Sequence, residues 1–412
     1  MTTMPVLTAR QGAGRPATAV WLPAAAVLLA TGWGANQFTP MLLVYRDTLG
    51  LGTGTLEALF GVYALGLIPG LLLAGPLSDA GGRRSVVGPA AGLALAASLT
   101  LAAGGHHIAL LYAGRLMAGV TSGIVFGAGT AWLYELSRPP FGSASDHLPA
   151  RRAAVAMTAG FALGPLVAGL LAQWAPAPAV VAYAPHIALM AAVLAVLRGT
   201  PETVDAPAGA RPRLTLPDVS SHRFRRVVAP MAPWVFAAPA IAFALLPAVV
   251  GAEHAADGIA LTAAIAALCA LAGVLVQPVA RRLDGGERAG RPAGAGLLVL
   301  VAGLLLAAAT TQTGQAWLLV PTAIVLGSAY GLCLVAGLVE IQRLADGQAR
   351  AGMTAAYYTL TYLGFGVPYL LAIAAHVARY PILLSIAALL ALATAAHVTR
   401  ATAGAPRLAA SA

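Results

Sequence analysis

Twelve long apolar runs, each separated from the next by a polar break, leave this chain few ways to fold. They fall at 18–45, 54–77, 85–103, 108–134, 153–174 and 179–197, then at 227–250, 258–280, 293–311, 316–339, 351–374 and 380–398. We number them spans 1 to 12. A helix crosses a bilayer core in about 20 residues, and each run is about that long or longer. In lipid only a helix satisfies all of its own backbone groups. Charge points the same way. Only 24 basic and 14 acidic side chains serve 412 residues, a charged fraction of 9%. A soluble domain carries about 25%. A soluble enzyme, a disordered chain and a disulfide scaffold are all excluded. Cys269 and Cys333 lie inside apolar runs and suggest neither a disulfide framework nor a metal site. The predicted fold class is an all-α polytopic membrane protein.

The net charge of +10 does not imply a nucleic-acid partner. All 24 basic residues are Arg, and 21 of them fall on one side if both termini share it. Arg46 and Arg379 lie on the other side, and Arg115 lies within span 4. By the positive-inside rule the crowded side is cytoplasmic. The expected location is therefore a bacterial inner membrane, with both termini cytoplasmic. Residues 1–17 form a polar tail, and the run that follows is too long for a signal-peptide core. The spans divide six and six around one polar stretch, 198–226, rich in Pro and Arg. The expected domains are a bundle at 18–197, a linker at 198–226, a bundle at 227–398 and a tail at 399–412. Faint similarity links the halves. Spans 4 and 10 each end in an acid, Glu135 and Glu340. Transporters built from such repeats hold their substrate at the repeat interface near the midplane.

The turn after span 2 reads Gly75-Pro76-Leu77-Ser78-Asp79-Ala80-Gly81-Gly82-Arg83-Arg84. Its glycines permit a tight reversal. Asp79 can accept bonds from free amides at a helix start, and Arg83 can pair with an acid such as Glu135. This segment resembles the cytoplasmic signature of the major facilitator superfamily, with Ala80 standing where that family often has a basic residue. The resemblance covers essentially the whole chain. It implies two pseudo-symmetric six-helix bundles that rock about one cavity. It also implies a gate formed by Gly75, Asp79, Arg83, Arg84 and Glu135, with Asp79 near Gly352 at the start of span 11. Span 4 carries Arg115 with Gly119, Gly123 and Gly127. A charge within a span is expensive and marks function by default. Span 5 carries Gly160, Gly164 and Pro165 in Gly-Phe-Ala-Leu-Gly-Pro-Leu-Val-Ala-Gly. Both patches resemble motifs of the twelve-helix drug:proton antiporter branch. They imply proton coupling through Arg115 and a pliant contact between bundles at Gly160, Gly164 and Pro165.

Candidates for the cavity wall are Asn36, Gln37, Tyr63, Trp234, Tyr330, Tyr357, Tyr358, Thr361 and Tyr362, because aromatic surfaces with polar tips suit an amphipathic molecule. Asn36 and Gln37 are adjacent and cannot both face it. Glu57 is either a proton-accepting carboxylate or a solvated interface residue. His186 is either a packing residue or a titrating one. There is no P-loop, zinc spacing or nucleophile–base set, so neither an enzyme nor a cofactor is expected. The expected function is proton-coupled efflux of a lipophilic or amphipathic small molecule by a monomer in the lipid bilayer. One alternative is an importer or exchanger of a polar metabolite such as a sugar or organic anion. The other is a non-transporting scaffold or sensor.

Overall fold

The structure is a computed structural model that describes residues 20–142, 144, 148–205, 211–212, 220–250, 257–283, 291–344 and 347–403. The tails at 1–17 and 404–412, and much of the expected linker, lie outside the described residues. Those residues are helical, with no strand among them. Among the described residues ten helices are long and apolar enough to cross a membrane, from Thr53–Gly81 to Tyr380–Thr402. They correspond to spans 2 to 10 and span 12. Spans 1 and 11 are each interrupted. Span 1 runs as Leu22–Asn36 and Phe38–Leu49. Its lapse at Gln37 has a cause three residues on: Pro40 has no N–H to offer the Asn36 carbonyl. Span 11 runs as Gly347–Tyr362, a 3-10 turn over Leu363–Gly366, and Val367–Ala374. Pro368 likewise denies a donor to the Gly364 carbonyl.

The packing repeats across the two halves. Span 1 packs on spans 5 and 6, span 2 on span 4, and span 3 on spans 4 and 6. In the second half, span 7 packs on spans 11 and 12, span 8 on span 10, and span 9 on spans 10 and 12. Adding six to each span number converts one set into the other. The two halves meet where span 5 lies along span 8 and span 2 along span 11, a pair that the same operation exchanges.

Small residues set the closest approaches. A Cβ on Gly119 or Gly123 would strike the carbonyls of Tyr63 or Leu67 on span 2. In the repeat, a Cβ on Gly327 or Gly331 would strike the carbonyls of Cys269 or Gly273 on span 8. Lipid is as apolar as a helix, so association in a membrane rests on such backbone proximity.

Candidate functional site

A cavity of about 40 Å³ lies halfway along the spans, between the two halves. The first half contributes Ala35 and Asn36 from span 1, Tyr63 from span 2 and Phe161 from span 5. The second half contributes Phe236, Pro239 and Phe243 from span 7, Ala270 from span 8, Tyr330 from span 10, and Tyr362 and Phe365 from span 11. Five of the rings form one connected wall. Phe236 stacks on Tyr362 at 4.5 Å and on Phe365 at 5.1 Å. Tyr330 lies 5.4 Å from Phe236, and Tyr63 meets Phe365 edge-on at 6.0 Å.

Behind Tyr63 sits Arg115, 1% exposed. Its Nε donates to the Leu59 carbonyl at 3.3 Å, one terminal nitrogen to Ala35 at 3.2 Å and the other to Phe60 at 3.1 Å. Its guanidinium carbon lies 4.6 Å from the centres of both the Phe38 and the Tyr63 rings. The charge is therefore met by carbonyl dipoles and ring faces, and none of these partners is a carboxylate. Ring faces attract a cation by about 0.5–2 kcal/mol each, which lessens the penalty without cancelling the charge.

Asn36 and Gln37 separate as adjacency requires. Asn36 lines the cavity. Gln37 is fully buried and donates to Ser98 Oγ at 3.0 Å. Ser98 Oγ lies 2.7 Å from His186 Nδ1, and His186 Nε2 lies 2.9 Å from the Ala30 carbonyl. One assignment satisfies the chain of bonds: Gln37 donates to Ser98, Ser98 to Nδ1, and Nε2–H to Ala30. His186 is thus a buried strut between spans 1, 3 and 6. Glu57 is fully buried near the far end of span 2, and neither carboxyl oxygen has a hydrogen-bond partner among the described residues. A solvated interface position is excluded for it.

Bonds between the halves cluster at the end opposite the Arg-rich one. There Arg46 donates to the Ala248 carbonyl at 2.9 Å. Gln173 accepts from the amides of Ile259 at 3.1 Å and Ala260 at 3.2 Å, which are free because span 8 begins there. Phe60 packs against Phe243 and Phe365 at 6.0 and 5.2 Å. A Cβ on Gly169 would strike Ala263 of span 8.

At the Arg-rich end the bonds among the described residues run within one half. Arg83 pairs with Glu135 at 2.9 Å and with Asp79 at 2.6 Å. The linker closes over them. Glu202 accepts from the backbone N–H of Arg83 at 2.7 Å and of Arg84 at 2.9 Å, capping the start of span 3. Gly82 allows this with φ of +94° and no Cβ, since a Cβ would meet the Glu202 carboxylate. Trp132 Nε1 donates to the Pro201 carbonyl at 3.0 Å, and Thr203 bonds Glu135. Arg84 reaches the linker carbonyls of Arg198 and Thr200 at 3.5 and 3.3 Å. In the second half Glu340 pairs instead with Arg223 at 2.8 Å and Arg343 at 3.1 Å.

Several expected placements need correction. Trp234 faces span 12, donating to Thr394 Oγ1 at 3.3 Å. Phe236, two residues on and about 200° round the helix, takes its place in the cavity. Tyr357 donates to the Cys333 carbonyl at 3.0 Å, inside the second half. Thr361 Oγ1 bonds the Tyr358 carbonyl of its own helix at 2.7 Å. Span 11 reaches the cavity through Tyr362 and Phe365. Gly160 and Gly164 press on the backbone of Leu29 and Trp33 in span 1, so they join helices within one half. Pro165 lies buried in the unbroken helix Leu148–Trp174. The contact between halves from span 5 is made further along, at Gly169. Glu202 caps the start of span 3; the expected contact of Asp79 with the start of span 11 falls on side chains outside the described residues. Asp79 still lies inside the last turn of Thr53–Gly81, four residues before Arg83, and its side chain is 67% exposed. Gly352 lies early in Gly347–Tyr362. Gly75 faces open space. The phenylalanines were missed because Phe carries no polar atom to distinguish a cavity wall from core. Glu202 was missed because it lies in a stretch that reads as a solvated connector.

Several solved structures share this arrangement. The nucleoside transporter NupG matches with a TM-score of 0.70 at 15% identity, over 93% of this chain and 98% of its own. A D-xylose-proton symporter matches at 0.68 and 15%, over 90% and 96%. A variant of the peptide transporter POT in complex with sulfate matches at 0.72 and 15%, over 94% and 95%. At that identity the likeness shows the fold. No curated protein sequence matches. A sequence profile described as Major Facilitator Superfamily matches residues 24–369. With that match spanning most of the chain, and with two repeated six-span halves around a midplane cavity, the protein belongs to the major facilitator superfamily and is a membrane transporter rather than an enzyme.

Proposed function

We propose that this transporter exports a lipophilic or amphipathic small molecule by alternating access, driven by protons moving the opposite way. The observation that carries the substrate reading is the cavity wall. Seven of its side chains are aromatic, and only Asn36 and three Tyr hydroxyls offer polar groups. A sugar or similar polar solute would lose hydrogen bonds to water there without replacing them, at about 1–3 kcal/mol for each group left unpaired. The importer alternative has that cost against it, although the named structural neighbours carry nucleosides, xylose and peptides. Support for outward transport is the likeness of spans 4 and 5 to drug:proton antiporters. Glu57 is the best-supported proton carrier, as the buried carboxylate that the fold leaves unpartnered. Arg115 keeps its proton under ordinary conditions and serves as a fixed charge. The Asp79–Arg83–Glu135 cluster fits a gate at the Arg-rich end, which we read as cytoplasmic. Everted membrane vesicles test the reading. An acid-inside gradient should drive uptake of an aromatic probe such as 1-naphthylmethanol, and a protonophore should abolish it. Uptake driven only by the reverse gradient would favour the importer.

A further inference from the structure

We infer that the cavity selects its cargo by charge: it takes neutral or anionic aromatic molecules and rejects lipophilic cations. This deepens the substrate reading above and rests on it. No lining residue is charged, so the nearest buried charge sets the potential inside. That charge is Arg115, whose guanidinium lies 4.6 Å from the ring of the wall residue Tyr63. Its hydrogen bonds end on the carbonyls of Ala35, Leu59 and Phe60, and no carboxylate is among its described partners.

The other titratable groups near the cavity are not among its described bonding partners. Glu57 lies six residues from Tyr63 along span 2, toward the end where Arg46 bonds Ala248. Six helical residues rise about 9 Å. If Glu57 carries a proton it adds no charge. If it is ionised, Arg46 is close enough to offset its charge. His186 is held by Ser98 and the Ala30 carbonyl inside the first half, away from the wall. A positive potential at low dielectric is little screened, so it acts across the thickness of one aromatic ring. A cation in the cavity would find electron-rich ring faces but no carboxylate to pair with. An anion would find the Arg115 field, with Asn36 as a donor.

Three probes of one shape test this: 1-naphthylacetate, 1-naphthylmethanol and 1-naphthylmethylammonium. Each is titrated into the purified full-length protein in lipid nanodiscs, with tryptophan fluorescence as the readout. The anion and the alcohol should bind, with the cation at least about tenfold weaker. Asn36→Asp, which places a carboxylate in the wall at constant shape, should strengthen the cation and weaken the anion. Arg115→Gln should remove the preference for the anion. Binding of the cation as tight as the anion would overturn the inference while leaving the cavity as a substrate site. So would an unchanged order in Asn36→Asp, which reports even if Arg115→Gln fails to fold. Failure of all three probes to bind, with the protein monodisperse, would instead overturn the aromatic-cargo reading itself.

Discussion

Arg115 brings a full charge to the middle of a bundle and meets three carbonyls and two aromatic faces there. Placing Arg at a span centre costs about 2.5–3.5 kcal/mol on insertion scales, so the residue has to be useful or well bonded. It is well bonded, and mutation separates the two roles. Arg115→Lys keeps the charge but loses the planar fork that reaches carbonyls of spans 1 and 2 together. Transport should fall by about tenfold or more, with the protein still monodisperse on size exclusion. Normal transport by Arg115→Ala would make the residue structural at most. Glu57 makes a contrasting case. Glu57→Gln keeps the shape and removes the ionisable group, so gradient-driven transport should stop while exchange of labelled for unlabelled substrate continues. Loss of both would mean that Glu57 supports packing rather than coupling.

Helix contacts in both halves depend on glycines four residues apart, against spans 2 and 8. Gly119→Val would place a branched side chain on the Tyr63 carbonyl and force the helices apart. A cost of about 1–3 kcal/mol is expected, as for other overpacked sites, read as a lower thermal unfolding temperature in detergent. Gly92→Val is the matched control, since a Cβ there meets nothing within 4 Å. The four-residue spacing was visible in the sequence for span 4. Its partner helix was not, because glycine spacing marks a flat face without saying what lies on it. Span 5 shows the consequence: its Gly160 and Gly164 serve span 1, and the face toward span 8 lies five residues beyond Gly164, at Gly169.

At the scale of the molecule, the described hydrogen bonds between halves are gathered at the far end, through Arg46 and Gln173, with the Phe60 cluster packing beside the cavity. The Asp79–Arg83–Glu135 cluster closes within the first half. Those bonds hold the halves together at the far end, and Ala263, fully buried against span 5, is a reporter of their separation. Ala263→Cys, in a Cys269→Ser, Cys333→Ser background, should react slowly with a membrane-impermeant maleimide from the far side. Adding Gln173→Ala removes the acceptor for the Ile259 and Ala260 amides and should speed labelling several-fold. An unchanged rate would show that these bonds do not hold the halves together.

Much of this was determined by the sequence alone. Long apolar runs must become helices where no water can pair their backbones, and the distribution of Arg divides the breaks between two ends. The signature turn brought Arg83 and Glu135 together as expected, because short connections leave helix ends near one another. Which side of each span meets the cavity was decided only by the tertiary structure. In a soluble helix the buried face is apolar and the other polar, so periodicity reveals it. Here lipid and bundle interior are equally apolar, and that contrast disappears. Asn36 rather than Gln37, Phe236 rather than Trp234, and Tyr362 rather than Tyr357 face the cavity because of how neighbouring helices rotate each span, about 100° for every residue.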